Sequence, residues 1–463
     1  MKDKLPIIIL LVLAFLTRFF FLDYPAQVVF DEVHFGKFVA SYFTHEYYFD
    51  IHPPLGKLLI AEFAKISGLN LDFDFAKIGE TFDAYQLFIL RFLPALFGAL
   101  FIPLIYKLLL AIGASRKGAF LGGWLALFDN AFLVESKFIL TDAFLLFFGF
   151  LSLYLFFVSR KFHGKKRAAF LIFTALTSGL ALSVKWTGLS FSALIISFLF
   201  YDYLSQRKIK KLLAIIAIFI LIVFFVYLSI FAAHFKLLQK PGTGAAFMSA
   251  SFSDLPFLQK FWELNQKMYF YSSTLKISHP DSSYWYQWPL MIKPVWYWTD
   301  SSLNADFKSA NIYFLGNPFV WWLVAAGLPV IWLVLLFRKQ AKSPALVIYS
   351  LSFGYFINLL AFAFISRVTF LYHYLISLTF GILILSLAFD KYVFFYEKKE
   401  TKPYLLAKNK LKQSGFFSFS SAAYFLSYLA LLLLPALGFL VFLPLAYGIP
   451  ISKEILNWYG FFL

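Results

Sequence analysis

The chain consists mainly of long apolar segments separated by short polar ones. A helix needs roughly 20 largely apolar residues to cross the hydrocarbon of a bilayer. Eleven segments approach this pattern, namely 5–22, 84–110, 119–134, 138–158, 168–184, 187–204, 211–231, 319–337, 345–365, 370–389 and 421–447. The pattern predicts an all-α integral membrane protein of about eleven transmembrane helices, organised as one polytopic domain over residues 1–463.

The first apolar segment must be distinguished from a secretory signal peptide, because Lys2 and Lys4 give it a short basic start. A small-residue cleavage site is missing, since three phenylalanines at 19–21 are followed directly by Leu22, Asp23 and Tyr24. We therefore expect a retained first helix.

Composition supports a location in a bilayer. Hydrophobic residues make up 61% of the 463 positions and charged residues only 14%, which leaves too little polar surface for a soluble domain. The absence of cysteine excludes disulfides, thiolate metal sites and cysteine nucleophiles.

The net charge of +17 is a signal of topology. Loops retained in the cytoplasm accumulate Lys and Arg. If the N-terminus is inside, the inner segments together hold 23 Lys and Arg against four acids; they are the N-terminus, 113–118, 159–167, 205–211, 338–342 and 390–412. The positive charge therefore requires no nucleic acid, and the two long loops, 23–83 and 232–318, are predicted to face the exterior.

Each long loop carries a pattern of its own. In 55–67, an apolar helical face of Leu55, Leu58, Leu59, Phe63 and Ile66 predicts a helix lying in the outer membrane interface. The second loop is rich in Trp and Tyr between positions 284 and 298, which is typical of an interfacial belt or of a sugar-stacking surface.

Charged residues in or beside the predicted spans converge on the outer side. Such residues are costly in a bilayer and usually face a polar cavity. Asp31 and Glu32 follow the first span closely, and six charges lie in the outer halves or at the outer ends of spans, namely Arg18, Arg91, Asp129, Asp142, Lys185 and Arg367. The sequence therefore predicts carboxylates and cations near one water-facing end of an apolar bundle.

This combination suits sugar transfer from a lipid phosphate. A carboxylate base can accept the proton of an attacking hydroxyl, while Arg or Lys stabilises the departing phosphate. The alternative is that Asp31 and Glu32 are solvated loop acids and that Arg91 is a structural ion-pair partner.

Histidines extend the choice of chemistry. Asp31, His34, Asp50 and His52 offer metal ligands at short spacings, so a divalent metal is possible, although free loop histidines are commoner than ligands and no metal is expected. His373 lies near the outer end of the tenth predicted helix, where a structural hydrogen bond or a substrate contact would satisfy it.

A series of short motifs resembles the protein O-mannosyltransferases, which use dolichyl-phosphate-mannose or its bacterial polyprenyl counterpart. In the first outer loop these are FDEVHFG at 30–36 and FDIHPPLGK at 49–57, followed by LRFLPALFG at 90–98. Further matches are FDNA at 128–131, LTDA at 140–143, SVKWTGL at 183–189, HP at 279–280, WPL at 288–290, PVWY at 294–297, GNP at 316–318 and FLYHYL at 370–375. Each motif is weak alone, but the ordered series is specific and covers most of the chain.

The resemblance implies a glycosyltransferase C-type bundle and inverting transfer of mannose to Ser or Thr of a translocating protein, with an α-linked product. By position, Asp31 would be the base for the acceptor hydroxyl and Glu32 would position acceptor or sugar. Arg91 would act through the carrier phosphate or the acidic motif. The short loop 232–318 leaves no room for the soluble domain of eukaryotic members, so the chain resembles the shorter prokaryotic form.

The depth of Lys185, Arg367 and His373 makes them further candidates for binding phosphate or sugar. Asp142, His52 and Lys57 are candidates for the same role. The expected partners are the lipid-linked donor, an acceptor protein and membrane lipids, at the cell membrane with the active site facing the exterior.

Two other functions remain open at this stage. A related lipid-carrier glycosyltransferase could modify a glycolipid with the same fold. A lipid or sugar transporter would relay its substrate through charges distributed across the bilayer, whereas these charges gather on one side and no inverted repeat is evident.

Overall fold

The computed structural model describes residues 4–204, 206–274, 279–300, 303, 308–337, 343–365, 367–393, 421–460 and 462–463. Within these residues the chain is mostly helical. The predicted inner segment 338–342 and most of 390–412 lie outside the described residues.

Long apolar helices form the body of the molecule. They are α1 (Leu5–Phe19), α4 (Ala84–Ala111), α7 (Asp142–Ser159), α8 (Gly164–Val184), α9 (Leu189–Leu204), α10 (Ile209–Leu237), α12 (Pro318–Leu336), α13 (Ser343–Leu360), α14 (Leu375–Ala388) and α15 (Ser421–Tyr447). Across the described ranges, nine helices, counted with the turns that extend them, are long and apolar enough to cross a membrane. The chain is therefore a multi-pass membrane protein.

Two of the eleven predicted spans differ from this set. The first, Leu5–Phe19, is a shorter apolar helix. The predicted single span 119–134 is instead two short helices, α5 (Arg116–Leu127) and α6 (Asn130–Lys137). The break is at Asp129, whose backbone is extended and whose carboxylate accepts a hydrogen bond from the N–H of Phe132, so that it caps α6.

Smaller elements occupy the two long loops that were predicted to be external and the segment after α15. These are α2 (Glu32–Thr44), α3 (Leu55–Ile66), α11 (Phe257–Thr274), α16 (Lys453–Tyr459) and the strands β1 (Val295–Thr299), β2 (Lys308–Ser309), β3 (Asn311–Phe314) and β4 (Ile451–Ser452). The strands form two antiparallel pairs, β1 with β3 and β2 with β4.

Helix α3 coincides with the amphipathic helix predicted in the first loop, but its buried face is different. Ile66 is 85% exposed, whereas Lys57 is buried together with Leu55 and Ala61. Gly56 explains the close packing of this face, since a Cβ at this position would lie 2.6 Å from Cγ2 of Thr141, directly before α7.

Candidate active site

A cavity of about 320 Å³ lies where the first outer loop, the starts of α7 and α9 and the segment before α14 meet. Five of the predicted site residues line it, namely His52, Asp142, Lys185, Arg367 and His373. Apolar side chains form another part of the wall, among them Leu145, Leu146, Phe362, Phe364 and Ile376. The cavity therefore offers cations and imidazoles beside an apolar surface.

The two cations of the cavity differ in how they are held. The Lys185 ammonium donates to Asp142 at 2.5 Å and lies 5.8 Å from the ring centre of Tyr372. Arg367 forms no hydrogen bond or ion pair with the rest of the described chain, and its burial lowers the pKa of the guanidinium. An arginine remains protonated in proteins, so Arg367 presents a free fork of donors to the cavity.

The two histidines of the cavity can both hydrogen-bond to a ligand. Burial, followed by the positive charges of Lys185 and Arg367, holds the pKa of His52 well below its usual range. The Nδ1 of His373 lies 3.0 Å from the carbonyl oxygen of Phe370, which leaves Nε2 for another partner. The His373 ring also stacks on Tyr372 at 4.6 Å. Imidazole rings in these positions can hydrogen-bond to sugar hydroxyls.

Asp31 lies beside the cavity at the start of α2. Its half-buried carboxylate makes no hydrogen bond to any residue that the structure describes. It is within electrostatic reach of Lys185, Asp142 and Tyr372, which all line the cavity. Burial raises the pKa of Asp31 to about 6, against the opposing effect of His34 and Lys185. A carboxylate with these properties can act as a base near neutral pH.

Glu32, the next residue, is in the opposite situation. Its carboxylate binds Arg91 in a two-pronged pair, with both N–O distances 2.8 Å, and accepts hydrogen bonds from the N–H groups of Val29 and Ile139. Glu32 and Arg91 are both fully buried. The predicted direct roles of Glu32 at the sugar and of Arg91 at the phosphate are therefore not supported by this geometry.

The contacts of Arg91 are with the acidic motif and with the chain before it, which fits the second of the two roles that the resemblance implies. Its other N–H groups donate to the carbonyl oxygens of Leu22, Pro25 and Gln27. All of its donors are thus used to hold the chain that leads into Asp31.

Lys57 also lies outside the cavity wall. Its ammonium pairs with Asp50 and donates to the His52 carbonyl at 2.9 Å. It is 1% exposed and lies over the rings of Phe38 and Tyr48. Lys57 therefore braces the loop that carries His52.

The outer charges Asp129 and Arg18 also have structural partners. Asp129 accepts hydrogen bonds from the Asn317 N–H and the Trp321 indole. Arg18 donates to the carbonyl oxygen of Leu127. Of the predicted metal ligands, Asp50 is paired with Lys57, and the described residues contain no group of three or more His, Cys, Asp or Glu that could hold a metal.

Sequence reasoning missed two buried residues, Glu135 and Tyr297. The Tyr297 hydroxyl donates to Glu135 at 2.7 Å, and Glu135 is within electrostatic reach of Asp142 and Lys185. Glu135 lies at the tight junction between two predicted spans, where a lone carboxylate in an apolar hairpin was the available signal. Tyr297 lies in the PVWY motif, but nothing in the aromatic-rich stretch around it marks it as a site residue.

Comparison with known families gives consistent matches. The family model described as dolichyl-phosphate-mannose-protein mannosyltransferase matches residues 8–239, and that of the C-terminal four-span region of protein O-mannosyltransferase matches residues 257–462. Protein O-mannosyltransferase 1 of Drosophila melanogaster is 37% identical over 264 residues, 52% of this chain and 29% of that protein. Dolichyl-phosphate-mannose--protein mannosyltransferase 3 of Saccharomyces cerevisiae is 37% identical over 263 residues, 53% of this chain and 34% of that protein. The alignments thus span about a third of these relatives.

Solved structures share the fold. A structure of the S. cerevisiae protein O-mannosyltransferase Pmt1-Pmt2 complex bound to the sugar donor is similar with a TM-score of 0.84 at 20% identity, over 99% of this chain and 92% of that one. The Archaeoglobus fulgidus oligosaccharyltransferase AglB has a TM-score of 0.54 at 15% identity, over 98% of this chain and 56% of that one. These likenesses confirm the predicted glycosyltransferase C fold.

Proposed function

Because the chain belongs to the dolichyl-phosphate-mannose-protein mannosyltransferase family, we propose that it transfers mannose from a polyprenyl phosphate to Ser or Thr hydroxyls of proteins. The observation that carries this proposal is the cavity in which a guanidinium, a lysine and two histidines meet an apolar wall beside a carboxylate. Neither the Arg367 guanidinium nor the Asp31 carboxylate has a hydrogen-bond partner among the residues that the structure describes.

The cavity matches the two parts of such a donor. An isoprenoid chain requires apolar surface, which Leu145, Phe362 and Phe364 supply. A phosphodiester requires cations, and the planar fork of Arg367 can bind two of its oxygens at once. Lys185 adds a second positive charge, since one bond to Asp142 leaves two of its three N–H donors free.

The reaction is a displacement at C1 of mannose. The acceptor oxygen forms a bond to C1 while the bond from C1 to the phosphate oxygen breaks, and attack opposite the phosphate inverts the anomeric centre. Asp31 takes the proton of the acceptor hydroxyl. The electron pair leaves with the polyprenyl phosphate, whose charge Arg367 and Lys185 stabilise.

Each of the remaining predicted residues takes a role consistent with its contacts. His52 and His373 bind sugar hydroxyls, and Asp142 fixes the Lys185 ammonium. The effect of Glu32, Arg91 and Lys57 is indirect, because they hold the loop segments that carry Asp31 and His52.

We place the active site on the exterior face of the cell membrane. The charge difference between the predicted inner and outer segments supports this orientation, since Asp31 and His52 both belong to loop 23–83. The acceptor would then be a protein met during or after its translocation.

The decisive experiment offers labelled polyprenyl-phosphate-mannose to the purified full-length protein with a Ser/Thr peptide and a glycolipid acceptor in parallel. We expect label on the peptide. Label on the glycolipid alone would replace the proposal with a lipid-directed transferase, and label on neither would reject transfer altogether.

A further inference from the structure

We propose that Tyr297 and Glu135 are positioning residues that hold the Asp31 carboxylate in register with the phosphate-binding cations. This inference rests on the proposed function, in which Asp31 is the base. Neither residue lines the 320 Å³ cavity, and both are almost fully buried, at 0% and 4% exposure. Their effect must therefore pass through their neighbours.

The first step is the backbone directly before Asp31. Phe30 has a φ of +46°, in the left-handed region that bulky side chains seldom occupy. Such a conformation persists only where the surroundings hold it, and it is frequent at functional sites. The orientation of Asp31 therefore depends on whatever holds Phe30.

Tyr297 supplies that support twice. The N–H of Phe30 donates to the carbonyl oxygen of Tyr297 at 3.0 Å, and the two rings stack with centres 4.0 Å apart and planes 12° from parallel. One residue of the second outer loop thus fixes both the backbone and the side chain of Phe30.

A β-bulge makes this arrangement possible. In the pairing of β1 with β3, Trp296 lies opposite Tyr313 and Trp298 opposite Ile312, so Tyr297 is the extra residue between them. A bulge leaves one residue out of the ladder and redirects its groups. The Tyr297 carbonyl is therefore available to Phe30 instead of to β3.

Glu135 connects this support to the donor cavity. It accepts the Tyr297 hydroxyl at 2.7 Å and is within electrostatic reach of Asp142, which in turn holds Lys185. Direct contacts therefore connect Phe30, the neighbour of Asp31, to Tyr297 and Tyr297 to Glu135, and an electrostatic interaction connects Glu135 to Asp142, the partner of Lys185. They fix the separation between the base and a cation that stabilises the leaving group.

The test is steady-state kinetics of Tyr297→Phe, which keeps the stacked ring and removes only the hydroxyl. Because a misplacement of about 1 Å can cost about 100-fold in rate, we expect kcat to fall by about 10- to 100-fold, while the KM for the donor changes less than about twofold. The acid midpoint of kcat should also move to lower pH, since a loosened Asp31 becomes better solvated among His34, Asp50, Asp142 and Lys185.

Glu135→Gln and Glu135→Leu provide a second, independent comparison. The carboxamide oxygen of Gln can still accept the Tyr297 hydroxyl, whereas Leu cannot. We expect Gln to retain more kcat than Leu at similar thermal stability. Tyr313→Phe is the matched control, since it removes a hydroxyl from the paired strand that makes no hydrogen bond to the described residues, and it should leave kcat unchanged.

Normal kcat in Tyr297→Phe and in Glu135→Leu would overturn the proposal. A rise in donor KM with unchanged kcat would do the same, because it would assign these residues to donor binding. Wild-type protein assayed alongside separates the two levels of inference: an inactive wild type refutes the proposed function, whereas an active wild type with fully active variants refutes only the positioning role.

Discussion

Asp31 and Glu32 show how two neighbouring carboxylates acquire different chemistry from their surroundings. Glu32 accepts four hydrogen bonds and pairs with an arginine, so its charge is compensated and its oxygens are occupied. Asp31 is left without such partners in the described chain, and desolvation therefore raises its pKa to about 6. A free, more basic carboxylate is suited to proton transfer, and a saturated one is suited to holding a loop.

The first prediction concerns the base itself. We expect Asp31→Asn to abolish mannose transfer while donor binding and thermal stability stay near those of the wild type, since an amide is isosteric but cannot accept the proton. Transfer to a Ser/Thr peptide and binding of the labelled donor should be measured on the same preparation. Transfer at the normal rate would remove Asp31 from the mechanism.

The second prediction concerns pH. Asp31 must be ionised to accept a proton, and its raised pKa means that the protonated, inactive form dominates below about pH 6. We expect log kcat/KM to rise with unit slope below about pH 6 and to level off above it, whereas an unperturbed aspartate would give this limb near pH 4. A profile that stays flat down to pH 4.5 would contradict the assignment.

The third prediction separates the two arginines. Arg367→Lys keeps the charge and loses the planar fork, so we expect the donor KM to rise about 10-fold with little change in the unfolding midpoint. Arg91→Lys should lose most of its activity, because the acidic motif is no longer held in place. The free energy of unfolding should fall by about 1–3 kcal/mol, because the buried network loses hydrogen-bond donors.

The diagnostic comparison is between these two variants, by donor titration and thermal unfolding. If Arg91→Lys binds the donor more weakly but unfolds at the wild-type midpoint, Arg91 contacts the carrier phosphate after all.

The sequence identified this cluster of residues, and the family resemblance divided the roles of its two carboxylates, but the pairing within the cluster could not be predicted. The apolar pattern and the motifs led to Asp31, Glu32 and Arg91 because charges near spans are rare. The partners of Glu32 lie far along the chain, at Arg91 and Ile139. Which of the two carboxylates is left unpaired is therefore a tertiary property that local spacing does not encode.

At the scale of elements, short helices and breaks place the site. Asp129 ends one helix and caps the next, so α5 and α6 replace the single predicted span, and α6 brings Glu135 to the Tyr297 hydroxyl. Apolar periodicity predicts where a chain can cross a membrane, but a capping carboxylate within an apolar segment changes the count. The local amphipathic repeat predicted the bounds of α3, but it did not predict the buried face, which includes Lys57.

The fourth prediction tests the packing of α3 against the start of α7. Gly56→Val would force a side chain into Thr141, the residue before Asp142, so we expect a loss of about 1–3 kcal/mol in the free energy of unfolding and lower activity. Ile66→Val, at an 85% exposed position of the same helix, is the control and should change stability by less than about 0.5 kcal/mol. Equal unfolding midpoints for the two variants would show that this contact is unimportant.

At the scale of the whole molecule, two distant parts of the chain build one site. The first outer loop supplies Asp31 and His52, and the segment before α14 supplies Arg367 and His373, while α7 and the start of α9 close the cavity between them. Residues more than 300 positions apart therefore have to share one side of the bilayer. The function depends on the orientation of the entire bundle.

The last prediction tests that orientation. This sequence contains no cysteine, so label on the purified variants comes only from the introduced cysteine. Lys165 is exposed in a predicted inner loop, and Ser251 is exposed in the second long loop. The two variants to be compared are Lys165→Cys and Ser251→Cys. A membrane-impermeant maleimide should label Ser251→Cys in intact cells and Lys165→Cys only in inverted vesicles, because Lys and Arg are retained on the cytoplasmic side. The reverse labelling would place Asp31 and the donor cavity in the cytoplasm, where a translocated acceptor could not reach them. Both variants should keep wild-type transfer activity, since neither position contacts the cavity.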